Sequence, residues 1–212
     1  MDTAQEKISY CIGIEVGKNL TTQFSDLDLD LLIKGFQDAI FNAPLQLEMD
    51  EIKAVLQTLR KQVELQQREF VKRTAEENKK AGEEFQEAHR HKEGVVTLPS
   101  GLQYRVLKAG VGKSPTMFDL VALHFKGSFL DGRTFETTYE AKKPQLLAMN
   151  QVIPGWAEVL QMMREGDKWE VVIPSYLAHG VNGIQGRIAP NTTLMFDLEL
   201  VEVNPAIPGQ RT

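Results

Sequence analysis

The most pointed chemical feature of this sequence is a tryptophan one residue past a Pro-Gly turn. In residues 150–166 a strand-like Gln151-Val152-Ile153 runs into Pro154-Gly155, and Trp156 opens a short apolar helix. A ring placed there lies flat as the floor of a cavity, filling space at little entropic cost while its N–H seeks a partner at the edge. The chain after Gly94 then supplies the walls. Other chemically able residues point elsewhere. The single cysteine, Cys11, excludes an internal disulfide and is expected to be a small buried hydrophobe. His89 and His91, two apart, face different sides of a helix, which makes them a poor metal pair and predicts surface histidines. Gly180, Gly183 and Gly186 lack the strand-turn-helix context of a phosphate fingerprint and read as a loop folding over the sheet as a rim.

The elements that position Trp156 belong to a chain of 212 residues, 42% hydrophobic and 25% charged, enough for two small domains. A net charge of −5 argues against a nucleic-acid partner, because phosphate binding needs a basic face. No apolar run approaches the roughly 20 residues of a membrane span. The first residues show no basic and apolar leader, so a cytoplasmic location is expected, with periplasm or cell surface as the alternative if a leader has been removed.

Ile8, Ile12, Val16 and Leu20 recur every fourth residue over 7–20, an amphipathic helix. Gly13 and Gly17 suggest a groove where another helix crosses. Asp28 or Asp30 caps a second helix through Phe41, striped by Leu29, Leu32, Phe36 and Ile40. Residues 48–92 contain no proline and read as one long helix. Ile52, Leu56, Leu59 and Val63 form a seam in its first half; beyond Leu65 it is polar nearly all round and predicts a solvated strut. Three short apolar stripes make a thin core for a monomer. Residues 1–65 are therefore expected to be a dimerisation module.

From Gly94 the texture is β. Alternating stretches run over 102–107, 121–129, 168–174 and 194–203, with an Asp131-Gly132 turn. One short helix among several strands, without βαβ alternation, predicts an α+β fold in which an antiparallel sheet wraps over the Trp156 helix.

Four motifs carry a resemblance: Leu98-Pro-Ser-Gly-Leu-Gln-Tyr-Arg-Val-Leu; Gly127 through Leu130-Asp131-Gly132 to Phe135; Gln151-Val-Ile-Pro-Gly-Trp156; and Pro190-Asn-Thr-Thr-Leu-Met-Phe-Asp197. Together they resemble the FKBP-type peptidyl-prolyl cis-trans isomerases. The N-terminal Ser9-Tyr-Cys-Ile-Gly-Ile-Glu-Val-Gly-Lys-Asn19 and Lys34-Gly-Phe-Gln-Asp-Ala are similar to the dimeric bacterial branch that includes the macrophage infectivity potentiators. The resemblance implies a helical dimerisation domain over 1–65, a connecting helix over 48–92, an FKBP-like domain over 94–204 and a tail over 205–212. It further implies a V-shaped homodimer joined through the N-terminal helices, acting on proline-containing unfolded polypeptides with chaperone-like assistance. No cofactor or metal is implied; macrolides such as tacrolimus or rapamycin are implied as inhibitors.

Carried over by motif, Trp156 is the proline floor, with Phe125, Val152, Ile153 and Phe196 around it and Glu136 and His179 at the rim. Phe135, Leu147, Ile184 and Ile188 complete the substrate surface, and the Ile153 N–H receives a substrate carbonyl. Four positions depart from the family's usual residues. Phe125 and His179 stand where Tyr is common, Glu136 where Asp is, and Leu147 where bacterial relatives place Phe. The apolar floor is kept while the polar fringe is altered, which predicts reduced but surviving catalysis. A proline-motif binding or chaperone module with weakened catalysis is the alternative. If the His179 ring points into the rim, a nearby Glu136 would favour its cation and turnover would change between roughly pH 5.5 and 8; the alternative is a His179 turned outward into solvent, with no effect on turnover.

Overall fold

The computed structural model describes residues 1–24 and 26–206, so residues 207–212 of the expected tail lie outside the described residues. The chain divides into two compact units, Met1–Gln62 and Val63–Thr212.

In the first unit, α1 (Ala4–Gln23) starts earlier than the apolar periodicity suggests, because Thr3 and Glu6 form a capping box. Thr3 Oγ1 accepts from the Glu6 N–H at 3.2 Å, while the Glu6 carboxylate accepts from the N–H groups of Asp2 and Thr3. Asp28 caps α2 (Leu29–Phe41) by accepting from Asp30 and Leu31, and Asn42, at φ 51°, ends it. The apolar stripes stay uncovered: Ile12 is 58% and Phe36 59% exposed. Cys11 is exposed as well, which corrects its expected burial. A Cβ at Gly13 would meet nothing within 4 Å, so among the described residues no helix crosses closely at that position.

Helix α3 (Met49–His89) runs 41 residues, about 60 Å at 1.5 Å per residue. No helix among the described residues is long and apolar enough to cross a membrane. Its last turns correct the expected solvated strut, because Asn78, Gly82, Gln86 and His89 form a polar face docked on the sheet domain. The Asn78 amide donates to Pro190 O at 2.9 Å, and that of Gln86 to Gly101 O at 2.8 Å. A Cβ on Gly82 would fall onto Thr193 Oγ1, so only glycine permits this approach. His89, expected at the surface, is 1% exposed, stacked on Phe85 and bonded through Nδ1 to Gln103 Oε1 at 2.9 Å. His91 is exposed, 3.3 Å from Glu87.

The sheet comprises β1 (Val95–Thr97), β2 (Gln103–Lys108), β3 (Leu120–Ser128), β4 (Thr134–Thr137), β5 (Gln145–Ala148), β6 (Lys168–Ile173) and β7 (Leu194–Val203). Every pairing is antiparallel, in the order β1-β2-β6-β7-β3-β4, with β5 also on β3. Period-two alternation turns Leu194, Phe196, Leu198 and Leu200 of β7 inward, beside Trp169, Val171 and Ile173 of β6. This face covers α4 (Pro154–Leu160), whose Trp156, Val159 and Leu160 are buried against it. The architecture is α+β, as expected.

Candidate functional site

The Trp156 helix starts where three local features agree. Ile153 is its N-cap in extended conformation, Pro154 takes the first helical position where no N–H is needed, and Gly155 lets the helix close on the sheet. A Cβ at Gly155 would stand 2.5 Å from the Ile173 side chain. The short helix thus presses on the inner face of the sheet, and Trp156 is left 7% exposed.

Two neighbouring strands put aromatic rings on that floor. Phe125 of β3 meets Trp156 edge-on at 4.9 Å between ring centroids, and Phe196 of β7 does so at 5.1 Å. Phe135 of β4 meets Phe196 at 5.8 Å and 87°. Gly127 permits this wall, because a Cβ there would come within 2.6 Å of the Phe135 ring and 2.9 Å of the Phe196 ring. Edge-to-face packing fixes each ring through its neighbours. The Trp156 indole nitrogen is buried and has no acceptor among the described residues, so the floor offers ring surface rather than a donor.

The resulting pocket has a volume of about 210 Å³, smaller than clefts that enclose drug-sized ligands (about 300–1,000 Å³). Phe125, Phe135, Glu136, Leu147, Val152, Ile153, Trp156, His179, Ile184, Ile188 and Phe196 all line it. Each residue named from the sequence is therefore brought to one place. Gln145, Gln151 and Arg187 line it too and were missed. Gln145 had a signal, since in a strand it shares a face with Leu147 two residues on. Arg187 had none, because a charged loop residue between two isoleucines reads as solvated.

The Ile153 N–H has no acceptor among the described residues, whereas the Ile153 carbonyl accepts from Trp156 and Ala157, both at 3.0 Å. The pocket thus pairs an apolar floor with a lining that includes Ile153, whose backbone donor is unspent among the described residues.

The rim is a tight hairpin. Ile184 and Ile188 exchange N–H···O bonds of 2.7 and 2.8 Å, and Gly183, at φ 59°, turns the chain into it. Across the mouth, Arg187 Nη2 lies 3.3 Å from Glu136 Oε2. His179 is half-buried here, and its imidazole is held below its ordinary value, first by burial and then by the Arg187 charge. Glu136 favours the cation in the sense expected of it, but burial first and the Arg187 charge second outweigh it, and Arg187 had no place in the reading of the sequence.

Comparison with known proteins extends these observations over the chain. Residues 5–106 match the domain amino-terminal to FKBP-type peptidyl-prolyl isomerases, and residues 112–201 match the FKBP-type peptidyl-prolyl cis-trans isomerase domain. The outer membrane protein MIP of Legionella longbeachae is 41% identical over 206 residues, covering 97% of this chain and 88% of that one. The FKBP-type isomerase FkpA of Escherichia coli K12 is 36% identical over 208 residues, covering 95% and 76%. The crystal structure of FkpA from Escherichia coli is similar at a TM-score of 0.76 and 34% identity, covering 98% of this chain and all of that one. The Legionella relative's name overturns the expected cytoplasmic location. That expectation rested on the lack of a leader, and a leader once cut leaves no trace in the residues that remain.

Proposed function

We infer how the site works from a premise that the comparisons supply: this chain belongs to the FKBP-type peptidyl-prolyl cis-trans isomerase family. It is an isomerase of Xaa-Pro peptide bonds. That reaction is slow unaided because rotation breaks amide resonance, at about 18–20 kcal/mol. The twisted amide has lost resonance and part of its dipole, so a dry pocket that solvates the planar form poorly lowers the barrier, while a donor to a substrate carbonyl outside the rotating bond holds the chain in place. In our reading the prolyl ring rests on Trp156 between Phe125, Phe135, Val152, Ile153 and Phe196. The Ile153 N–H takes the carbonyl, Glu136 and His179 border the mouth, and Leu147, Ile184 and Ile188 contact the flanking residues. The observation that carries this assignment is the unspent Ile153 donor beside the buried aromatic floor. A Xaa-Pro isomerisation assay on the wild type beside Trp156→Ala tests it. Two inert proteins that still bind proline peptides would favour a binding or chaperone module with weakened catalysis.

The same reading assigns residues 1–65 to dimerisation, 48–92 to the connecting helix and 94–204 to the isomerase domain. A second copy would cover the apolar stripes that α1 and α2 leave exposed, among them Ile8, Ile12, Phe36 and Ile40. Two sites on one dimer would then hold one unfolded, proline-containing client by avidity, which adds folding assistance to weak single-site binding. Light scattering at micromolar concentration should return a dimer; a monomer would remove the avidity argument. Tacrolimus and rapamycin would compete for the same floor, with only a ring-sized part entering a pocket of about 210 Å³.

A further inference from the structure

Arg187 lines two cavities. One is the pocket over Trp156; the other, of about 290 Å³, lies between α3 at Asn78 and Ala81, the turn from Phe129 to Arg133, and the approach to β7 at Thr192 and Thr193. The walls of this second cleft are built in advance. Asn78 donates to Pro190 O and to Thr192 Oγ1, at 2.9 and 3.3 Å, and Asn191 donates back to Ala75 O at 3.3 Å. Bonds between Phe129 and Arg133 (2.9 Å) and Gly132 and Phe129 (3.0 Å) hold the turn, and the Arg133 guanidinium lies 4.6 Å over the Phe129 ring.

The charges of the cleft are unequal. Two cations, Arg133 and Arg187, line it against one carboxylate, Asp131, which lies 3.9 Å from Arg133 Nε, while the partner of Arg187, Glu136, lines the other pocket. A polypeptide is longer than its prolyl residue and advances about 3.3 Å per residue when extended. A chain leaving the floor on the Arg187 side therefore reaches this cleft within a few residues. We propose that the cleft extends the peptide site, seating residues that flank the proline and favouring a carboxylate side chain among them. This rests on the reading of the Trp156 pocket as the proline site. It also makes the end of α3 part of the substrate surface, with Ala81 as an exposed wall residue.

Full-length protein is assayed with a short blocked prolyl peptide and with longer peptides carrying Glu or Lys in the residues flanking the proline. Wild type should show a KM up to about fivefold lower for Glu than for Lys, the reach of a solvent-exposed ion pair, with kcat little changed. Arg133→Glu should remove that preference. Ala81→Trp, which fills the cleft from an exposed helix position, should raise KM for both long peptides and leave the short one unchanged. Equal KM values for the two flanks in wild type, or an Ala81→Trp protein indifferent to peptide length, would overturn the extension. Calorimetric binding of the same peptides keeps the two readings apart. A Glu preference in binding without turnover of any peptide sinks the isomerase assignment alone, whereas turnover without flank preference sinks the cleft alone.

Discussion

Arg187 stands 3.3 Å from Glu136, and this ion pair sets the charge beside His179. Against the weaker pull of Glu136, burial first and the nearby Arg187 cation second discourage the imidazole from taking a proton. Its folded value therefore lies below the ordinary 6.5 of the unfolded chain. In the window between the two, the unfolded state binds more protons, so stability rises with pH. The His179 contribution is fully present above 6.5 and is lost as pH falls through the lowered value.

Turnover should follow the same sense. The neutral ring keeps the mouth free of net charge, and protonation brings a cation to a site whose advantage is dryness. A pH–rate profile of wild type should be flat above about 6.5 and fall in acid, and His179→Tyr should remove that step. Arg187→Gln takes away one lowering influence and frees Glu136, so the step should move to higher pH. A profile that Arg187→Gln leaves in place, or moves toward acid, would contradict the charge argument.

Trp156→Ala should lower kcat/KM by on the order of 10- to 100-fold, about 1.4–2.8 kcal/mol of transition-state stabilisation. Tacrolimus affinity should drop with it. Removing a buried Trp also costs about 3–5 kcal/mol of stability, so circular dichroism must first show the variant folded. Trp156→Phe, which retains a smaller floor, should fall between. Unchanged inhibitor affinity in a folded Trp156→Ala protein would separate the inhibitor site from the proline floor.

Gly82→Ala tests the docked helix against ordinary helix propensity. Within an exposed helix this change gains up to about 1 kcal/mol, but here the new methyl falls onto the buried Thr193 hydroxyl. Overpacking of this kind costs about 1–3 kcal/mol. Chemical denaturation should show a net loss, and adding Thr193→Ala should recover part of it through a coupling that independent sites would lack.

Phe36→Glu and Ile12→Glu place charges on stripes that the single chain leaves exposed. Both should shift light-scattering mass toward the monomer, leave tetrapeptide isomerisation within about twofold of wild type, and weaken refolding of a protein client. Retained dimers in both variants would mean that these faces are not the joint.

The pocket is legible in the sequence because its determinants are local. Pro154 and Gly155 dictate where α4 begins, and strict alternation in β3 and β7 decides which face Phe125 and Phe196 take. The docked end of α3 is not legible to a hydrophobic pattern. Asn78, Gly82, Gln86 and His89 follow helical spacing, but a face joined by amides, an imidazole and a missing side chain has no apolar signature. Arg187 eludes the sequence for a different reason: its effect on His179 depends on a hairpin bringing together positions eight residues apart. Cys11 and the stripes beside it read as core because residue type reports a preference for burial, not which molecule provides it.

The docking of α3 also decides where the gene can be cut. A fragment starting at Gly94 keeps every strand, yet it strips the acceptor carbonyls of Pro190 and Gly101 of their donors and uncovers Gln103 and Thr193, buried at 3% and 4% exposure. A piece that keeps these contacts, and the Asn191 bond to Ala75 O with them, starts upstream of Ala75, inside what the sequence presents as a connector. Swapping such heads between related proteins preserves the docked face only if the last four turns of the donor's helix travel with its sheet.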